Sequence, residues 1–297
     1  MHGLFYRTVH FLNQSIKPVW VFDGTPPKSK QATIDKRKKV KERAEEAYND
    51  AMDQGDLERA KKMSQRKIKV TPQMVNDAKT LVKLLGVPYT EAPTEAEAQC
   101  AQLCKKGLAY AVASEDMDSL AFGAQHLLRG FKNKNEPIVQ ISLLEILKSL
   151  DITMDMFVDL CILSGCDFTG TIKGIGPITA LKFIKENMCI ENVVDIIKKS
   201  DSGKFSIPST FDYNICRKIF KTEEPCNAEL NWIMPDFDAL HEFLVNEKGM
   251  PEIKYQGGIK KLIANYPLIL KQDIEFSLPK IAPKVKKTKI SANKKAL

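Results

Sequence analysis

Three short apolar runs, each followed along the chain by acidic side chains, alternate with helical segments. The runs are residues 19–22, 87–89 and 109–113, and the acids after them are Asp23, then Glu95 and Glu97, then Asp116 and Asp118. Continuous apolar runs of this length are typical of buried parallel strands. Their alternation with helices predicts an α/β fold with a mostly parallel central sheet flanked by helices.

The composition narrows the class of protein further. The chain has 297 residues, of which 43% are hydrophobic and 28% charged. It can form one large domain or two modest ones with a sizeable core, and global disorder is excluded. Seven scattered cysteines without a C-x-x-C pair and four histidines without ligand spacing argue against zinc. No apolar run approaches the ~18 residues that span a bilayer, so we expect an intracellular protein without a membrane segment.

Basic residues are concentrated in three segments. Residues 28–43 and 59–69 each carry a net charge of +6, residues 279–297 carry +7, and the rest of the chain carries −11. A solvated helix face explains either inner segment alone, but two of them beside a carboxylate-rich body favour contact with a phosphate backbone. The Lys-rich end cannot bury enough apolar surface to fold. It is either a solubilising end or a nuclear-import patch, and the second interpretation predicts a nuclear protein.

Residues 30–67 differ from the rest of the chain in having hardly any apolar stripe. Their pattern predicts two polar helices broken near Gly55. Because such helices have no obvious core to join, we expect this segment to project from the body of the protein.

Carboxylates recur where the predicted elements end. They are Asp23, Glu95, Glu97, Asp116, Asp118 and, after a Gly-Cys pair, Asp167. Ligands bind at the carboxyl edge of open α/β sheets. Two residues apart in an extended segment, Asp116 and Asp118 share a face, whereas Glu95 and Glu97 converge only at a strand-to-helix corner. A single acidic pair is typical of helix N-termini. Six carboxylates packed together repel one another, which is costly in free energy unless cations neutralise them. Because all of these ligands are oxygen atoms, we expect two Mg²⁺ or Mn²⁺ ions about 3.5–4 Å apart.

A glycine hairpin is the most specific local motif. Gly174 and Gly176 allow a tight turn, and Pro177 is suited to begin the next helix. Exposed amides at a helix N-terminus bind phosphate without reading bases. An ordinary helix–turn–helix connection is the alternative, but Lys173 and Lys182 nearby favour binding to a DNA backbone.

Five motifs together resemble the eukaryotic flap endonuclease family. They are Val-Trp-Val-Phe-Asp-Gly-Thr-Pro-Pro from residue 19, Ala-Pro-Thr-Glu-Ala-Glu-Ala from 92, Ser-Glu-Asp-Met-Asp from 114, Gly-Cys-Asp-Phe from 165 and Gly-Ile-Gly-Pro from 174. Their order and intervals match from about residue 2 to residue 200. The resemblance implies a Mg²⁺-dependent 5′ nuclease with a PIN-like core. Such an enzyme cuts 5′ flaps in DNA replication, including Okazaki fragment maturation, and in base excision repair, and also has 5′–3′ exonuclease activity.

The resemblance also implies roles for particular residues. The six carboxylates would be metal ligands, and Lys30 and Arg37 would be the catalytic gateway residues that steady charge on the scissile phosphate. Residues 28–70 would be the helical arch, 71–165 the internal nuclease region and 155–200 the helix-hairpin-helix with a bound K⁺. These lie in a body of residues 1–265, followed by a basic tail of residues 266–297.

Two departures from the family lead to further expectations. The family begins with an extra segment that carries a core strand and another catalytic aspartate, and Met1 falls inside the helix after it. We therefore expect the 297-residue chain to be poorly stable and weakly active. Residues 272–276 lack the spacing and aromatic pair of a sliding-clamp-binding box. A DNA-binding remnant that grips flapped DNA without cutting it is the alternative to the nuclease.

Overall fold

The computed structural model describes residues 1–131, 137–200, 203–223 and 229–271. Within these ranges, short strands form two small sheets. The strands are β1 (Trp20–Phe22), β2 (Tyr89–Glu91), β3 (Val112–Ala113), β4 (His126–Arg129) and β5 (Val139–Ser142). The second strand begins later than predicted, because Pro88 has no N–H for the ladder and contributes only its carbonyl, to Trp20.

Strand pairing is mostly parallel. β1 pairs with β2 in parallel, β3 pairs with β4 in parallel, and β5 pairs with β4 in antiparallel fashion. The predicted α/β body is confirmed. The predicted single sheet is, in the described residues, one sheet of two strands and one of three. Strands of two to four residues offer little edge for further pairing.

Helices make up most of the described structure. Before β3 lie α1 (His2–Asn13), α2 (Gln31–Asp53), α3 (Leu57–Arg66), α4 (Pro72–Leu84) and α5 (Ala96–Lys105), with a 3₁₀ turn at Lys28–Lys30. After β3 follow α6 (Asp118–Ala121), α7 (Leu143–Leu150), α8 (Met154–Ser164), α9 (Pro177–Asn187), α10 (Ile190–Lys199), α11 (Tyr213–Lys221), α12 (Phe237–His241), a π-helix (Glu242–Glu247) and α13 (Glu252–Lys271). None of the helices in the described ranges is long and apolar enough to cross a membrane.

Helices α2 and α3 form the polar segment predicted to project. Gly55, with a φ of +72°, lies between them, and the Asp56 carboxylate accepts the N–H of Arg59 to cap α3. Their buried side chains are only alanines: Ala44 and Ala51 in α2 and Ala60 in α3. The prediction of two polar helices broken near Gly55 is confirmed, and we call this pair, together with the 3₁₀ turn Lys28–Lys30 before it, the arch.

The body has two apolar clusters. One contains α5, α6 and α8 to α11, with Leu120, Ile162 and Ile184 fully buried. The other joins α1, α4 and α13 around Phe5 and Tyr266. The first cluster includes Val112 and Leu127 of the three-stranded sheet, and Trp20 and Tyr89 of the two-stranded sheet pack against the second.

The last described helix packs into the core past residue 265. Helix α13 continues to Lys271, and Tyr266 is fully buried with its hydroxyl donating to the carbonyl of Gly86 at 2.7 Å. An aromatic ring with a satisfied hydroxyl stabilises the core, so Tyr266 contributes to the second apolar cluster. The division of the chain at residue 265 stays a prediction. Residues 272–297, which hold the Lys-rich segment and the region compared with a clamp-binding box, lie outside the described residues.

Candidate active site and nucleic-acid interface

One cleft of about 180 Å³ brings together all eight residues predicted for the metal site and the gateway. Its lining includes Asp23, Lys30, Arg37, Glu95, Glu97, Asp116, Asp118 and Asp167. Phe122 and Phe168 complete it. No local pattern predicts a role for these two rings, although Phe168 follows Asp167 directly.

The first group of carboxylates forms where β1 and β2 end side by side. Each of Asp23, Glu95 and Glu97 offers an oxygen within 4.8 Å of the other two. Glu95 has extended backbone angles and precedes α5, so it does not diverge from Glu97 as it would inside a helix. The start of α5 is hydrogen-bonded from another segment, because an Asp23 oxygen accepts the N–H of Ala96 at 3.0 Å.

Asp116 and Asp118 reach the cleft through a turn. The Asp116 carboxylate accepts the N–H of Asp118 at 3.0 Å, and the Ser114 hydroxyl accepts the N–H of Asp116 at 3.0 Å. Asp118 is the first residue of α6. The two side chains therefore share the cleft, but the extended segment predicted for them is a hydrogen-bonded turn.

Asp167 lies opposite these residues, against the base of the arch. Arg37 donates from Nη2 to both Asp167 carboxylate oxygens, at 3.0 and 2.8 Å. The Lys30 ammonium hydrogen-bonds Glu95, lies 3.6 Å from Asp167 and sits 5.7 Å from the centre of the Phe168 ring. The arch thus supplies both cations that face the carboxylates.

Burial and mutual repulsion raise the pKa values of two carboxylates in the cleft. Burial raises the pKa of Asp118 to about 6, and the charges of Asp116, Asp167 and Glu97 raise it too. Burial also raises the pKa of Glu97, with a contribution from Asp23. Burial alone would lower the pKa of Lys30, but its hydrogen bond to Glu95 and the surrounding negative charge raise it. The cleft holds more negative charge than its two cations balance.

The donor set fits divalent cations. Every ligand candidate in the cleft is a carboxylate, and hard divalent cations prefer oxygen. A bound cation would also offset the repulsion that raises the pKa values of Asp118 and Glu97. The acidic cluster is thus compatible with bound divalent metal ions.

The glycine hairpin is built from the same loop as Asp167. Lys173 forms an antiparallel bridge with Ser206, which no local pattern predicts. Gly174 has a φ of +91°, and a Cβ there would lie 2.7 Å from the carbonyl of Lys204. A Cβ on Gly176, which precedes α9, would meet nothing within 4 Å. The fold therefore requires glycine at residue 174, but it leaves open space beside residue 176.

Lys173 and Lys182 lie outside the cleft. The side chain of Lys182, on α9, is exposed and lies 3.8 Å from Glu186. Lys173 is exposed beside the hairpin. The structure thus brings the gateway pair to the carboxylates and leaves the hairpin lysines on a separate solvent-facing surface.

Comparisons with known proteins agree with this architecture. The XPG N-terminal domain matches residues 1–45, and the XPG I-region matches residues 86–167. Flap endonuclease 1-2 of Paramecium tetraurelia is 42% identical over 308 residues, covering 99% of this chain and 79% of the relative. Flap endonuclease-1 from Methanococcus jannaschii has a solved structure that is 36% identical with a TM-score of 0.65, covering 90% of this chain and 80% of that one.

A more distant structure shares the fold. The catalytic core of Rad2 in complex with DNA substrate has a TM-score of 0.67 at 24% identity, over 88% of this chain and 83% of that one. The Paramecium and Methanococcus relatives share the sequence over most of this chain, and the Methanococcus structure also shares its fold. The chain belongs to the flap endonuclease family, the structure-specific 5′ flap endonucleases that hydrolyse DNA.

Proposed function

We propose that the cleft hydrolyses a phosphodiester at the base of a 5′ DNA flap with two Mg²⁺ ions, for which Mn²⁺ can substitute. The observation that carries this proposal is that six carboxylates and two cations from separate parts of the chain line one small cleft. Asp23, Glu95 and Glu97 would hold one ion, and Asp116, Asp118 and Asp167 would complete the site. Bound divalent cations would supply an activated water and neutralise charge on the phosphate.

The protein's own residues would position the DNA. Lys30 and Arg37 enter the cleft from the arch and would stabilise negative charge that develops on the scissile phosphate. The Phe122 and Phe168 rings beside them would limit the water around the phosphate. A single strand beside the basic arch would meet side chains suited to its backbone.

The hairpin would hold the duplex on one side of the cut. Gly176 leaves its backbone open to a phosphate, and exposed lysines lie on either side of it. The Rad2 structure, which shares this fold, holds DNA substrate. By family analogy, a K⁺ ion would bind at the hairpin.

We also propose a cellular compartment and a protein partner. The activity fits replication and base excision repair, so we propose that the protein acts in the nucleus, where the Lys-rich end would serve as an import patch. A sliding clamp is a proposed partner, although residues 272–276 do not match the family's clamp-binding box.

A labelled 5′-flap duplex tests this function directly. We expect cutting near the junction with Mg²⁺ or Mn²⁺, no cutting with a chelator, and products that end in 5′-phosphate and 3′-hydroxyl. Blunt duplex of the same sequence is the matched substrate control. Tight flap binding without cutting at any metal concentration would support the DNA-binding remnant instead.

A further inference from the structure

Asp167 contacts the arch through two kinds of oxygen. Arg37 donates to its carboxylate, whereas the hydroxyl of Thr33 donates to its main-chain carbonyl at 2.9 Å. Thr33 and Arg37 are four residues apart in α2, so both lie on the helix face that meets Asp167.

These two contacts differ in their compatibility with a cation. A divalent ion bound by Asp167 would use the carboxylate oxygens that Arg37 now contacts, and its charge would repel the guanidinium. The Thr33 hydroxyl uses the main-chain oxygen and leaves both carboxylate oxygens available. The Thr33 contact is therefore the one that is compatible with a metal-bound Asp167.

The loop that carries Asp167 is fixed from its other side. The carbonyl of Thr210 accepts the N–H of Gly170 at 3.2 Å and the hydroxyl of Thr169 at 3.0 Å. The Phe168 ring packs edge-on against Phe220, with ring centres 5.5 Å apart. A hydrogen bond from Thr33 to this anchored loop consequently holds the helix in place, rather than the loop.

The base of α2 has few other means of attachment. The buried side chains of α2 are Ala44 and Ala51. Since a helical turn has about 3.6 residues, fully buried side chains of α2 begin roughly three turns beyond Thr33, and the adjacent Ile34 is only half-buried. Polar contacts therefore contribute much of what fixes the first turns of α2, including the turn from which Arg37 reaches the cleft.

We infer that Thr33 is a positioning residue whose hydroxyl holds the base of the arch on the main chain of Asp167. This bond keeps Lys30 and Arg37 directed at the carboxylates when the Asp167 carboxylate binds metal. The inference rests on the proposed metal-dependent function of the cleft. Thr33 itself contacts neither DNA nor metal in this role.

The test compares Thr33→Val with Thr33→Ser. Valine removes the hydroxyl and keeps the β-branched shape, so helix propensity changes little. Loss of one hydrogen bond predicts a fall in kcat for flap cleavage of about five-fold, with KM changed by less than about two-fold. Amide hydrogen exchange over residues 31–43 in the presence of Mg²⁺ should be faster in the valine variant. Serine should restore both properties.

Thr222→Val is the matched control. Thr222 directly follows α11, and its hydroxyl donates to the carbonyl of Lys218 in that helix at 2.6 Å, away from the arch. This variant should match wild type in both kcat and exchange. Thermal melting of all variants accompanies these measurements.

Several results would overturn the inference. A valine variant with wild-type kcat and exchange would show that the hydroxyl positions nothing. A serine variant as impaired as valine would assign the effect to the lost methyl group. A valine variant that unfolds while serine folds would make the hydroxyl a folding requirement. If wild type does not cut flaps, the proposed function fails, while exchange with Mg²⁺ still tests Thr33.

Discussion

Arg217 donates hydrogen bonds from Nε and Nη2 to the carboxylate of Asp159, at 2.6 Å each, and that carboxylate is only 3% exposed. The guanidinium also pairs with Glu191, while Asp159 accepts the N–H of Ile190 at 3.0 Å where α10 begins. One arginine on α11 thus joins α8 and α10 and compensates a buried charge.

Replacing Arg217 by methionine should destabilise the protein strongly. The substitution leaves Asp159 buried without its cation, which typically costs about 3–5 kcal/mol. Urea unfolding measures the change. Lys221→Met is the matched control on the same helix, because its partner Asp155 is exposed and such pairs contribute about 0–1 kcal/mol. Equal destabilisation by the two variants would contradict the role of the buried pair.

The same network predicts a pH dependence. The hydrogen bond from Arg217 lowers the pKa of Glu191 to about 2, whereas an unfolded glutamate titrates near pH ~4.3. Ionised Glu191 therefore favours folding above about pH 4.3, and this stabilisation is lost as the pH falls toward 2. Urea midpoints through this window should fall more steeply for wild type than for Glu191→Gln. Parallel curves for the two proteins would show that Glu191 does not contribute.

Alanine substitutions at the two hairpin glycines should distinguish an effect on stability from an effect on DNA binding. Gly174→Ala forces a left-handed backbone on alanine and a clash with the Lys204 carbonyl, so we expect a loss of at least about 1–2 kcal/mol of stability. Gly176→Ala meets open space and should melt like wild type. It should nevertheless weaken duplex binding, because the added methyl group blocks close approach of a phosphate. Unchanged duplex affinity in a folded Gly176→Ala protein would contradict backbone contact there.

The exposed lysines beside the hairpin should contact phosphates without reading sequence. Replacing Lys173 and Lys182 together by alanine should weaken duplex binding and reduce the slope of log K against log salt by about 2. Fluorescence anisotropy at several salt concentrations measures both quantities. A strong preference for one base sequence, or an unchanged slope in the double variant, would argue against this contact.

Much of the site could be predicted because it depends on strand ends and turns. Asp23 follows β1, and Glu95 and Glu97 follow β2. Because the two strands pair in parallel, their carboxyl ends lie at the same edge of the sheet, and the three carboxylates meet there. The break at Gly55 and the helix that begins at Pro177 were likewise local features. Features that depend on neighbouring residues in the sequence can therefore be predicted without knowledge of the tertiary packing.

Contacts between distant segments could not be predicted in this way. Thr33 meets a carbonyl 134 residues away, and Arg217 meets Asp159 58 residues away. No local pattern sets these side chains apart, because their partners come near only when the helices pack. The turn at Asp116 was missed for a related reason, since its carboxylate replaces a backbone partner within the loop. The expectations about clamp binding and chain stability stay predictions.

Cleavage of a labelled 5′-flap duplex by Asp116→Ala, beside wild type, tests the central claim most directly. Asp195→Ala is the matched control, since Asp195 is an exposed carboxylate on α10 outside the cleft. We predict Mg²⁺-dependent cutting by wild type and by the control, and its loss in Asp116→Ala despite retained flap binding. Undiminished, chelator-resistant cutting by Asp116→Ala would contradict catalysis by metal ions held in this cleft.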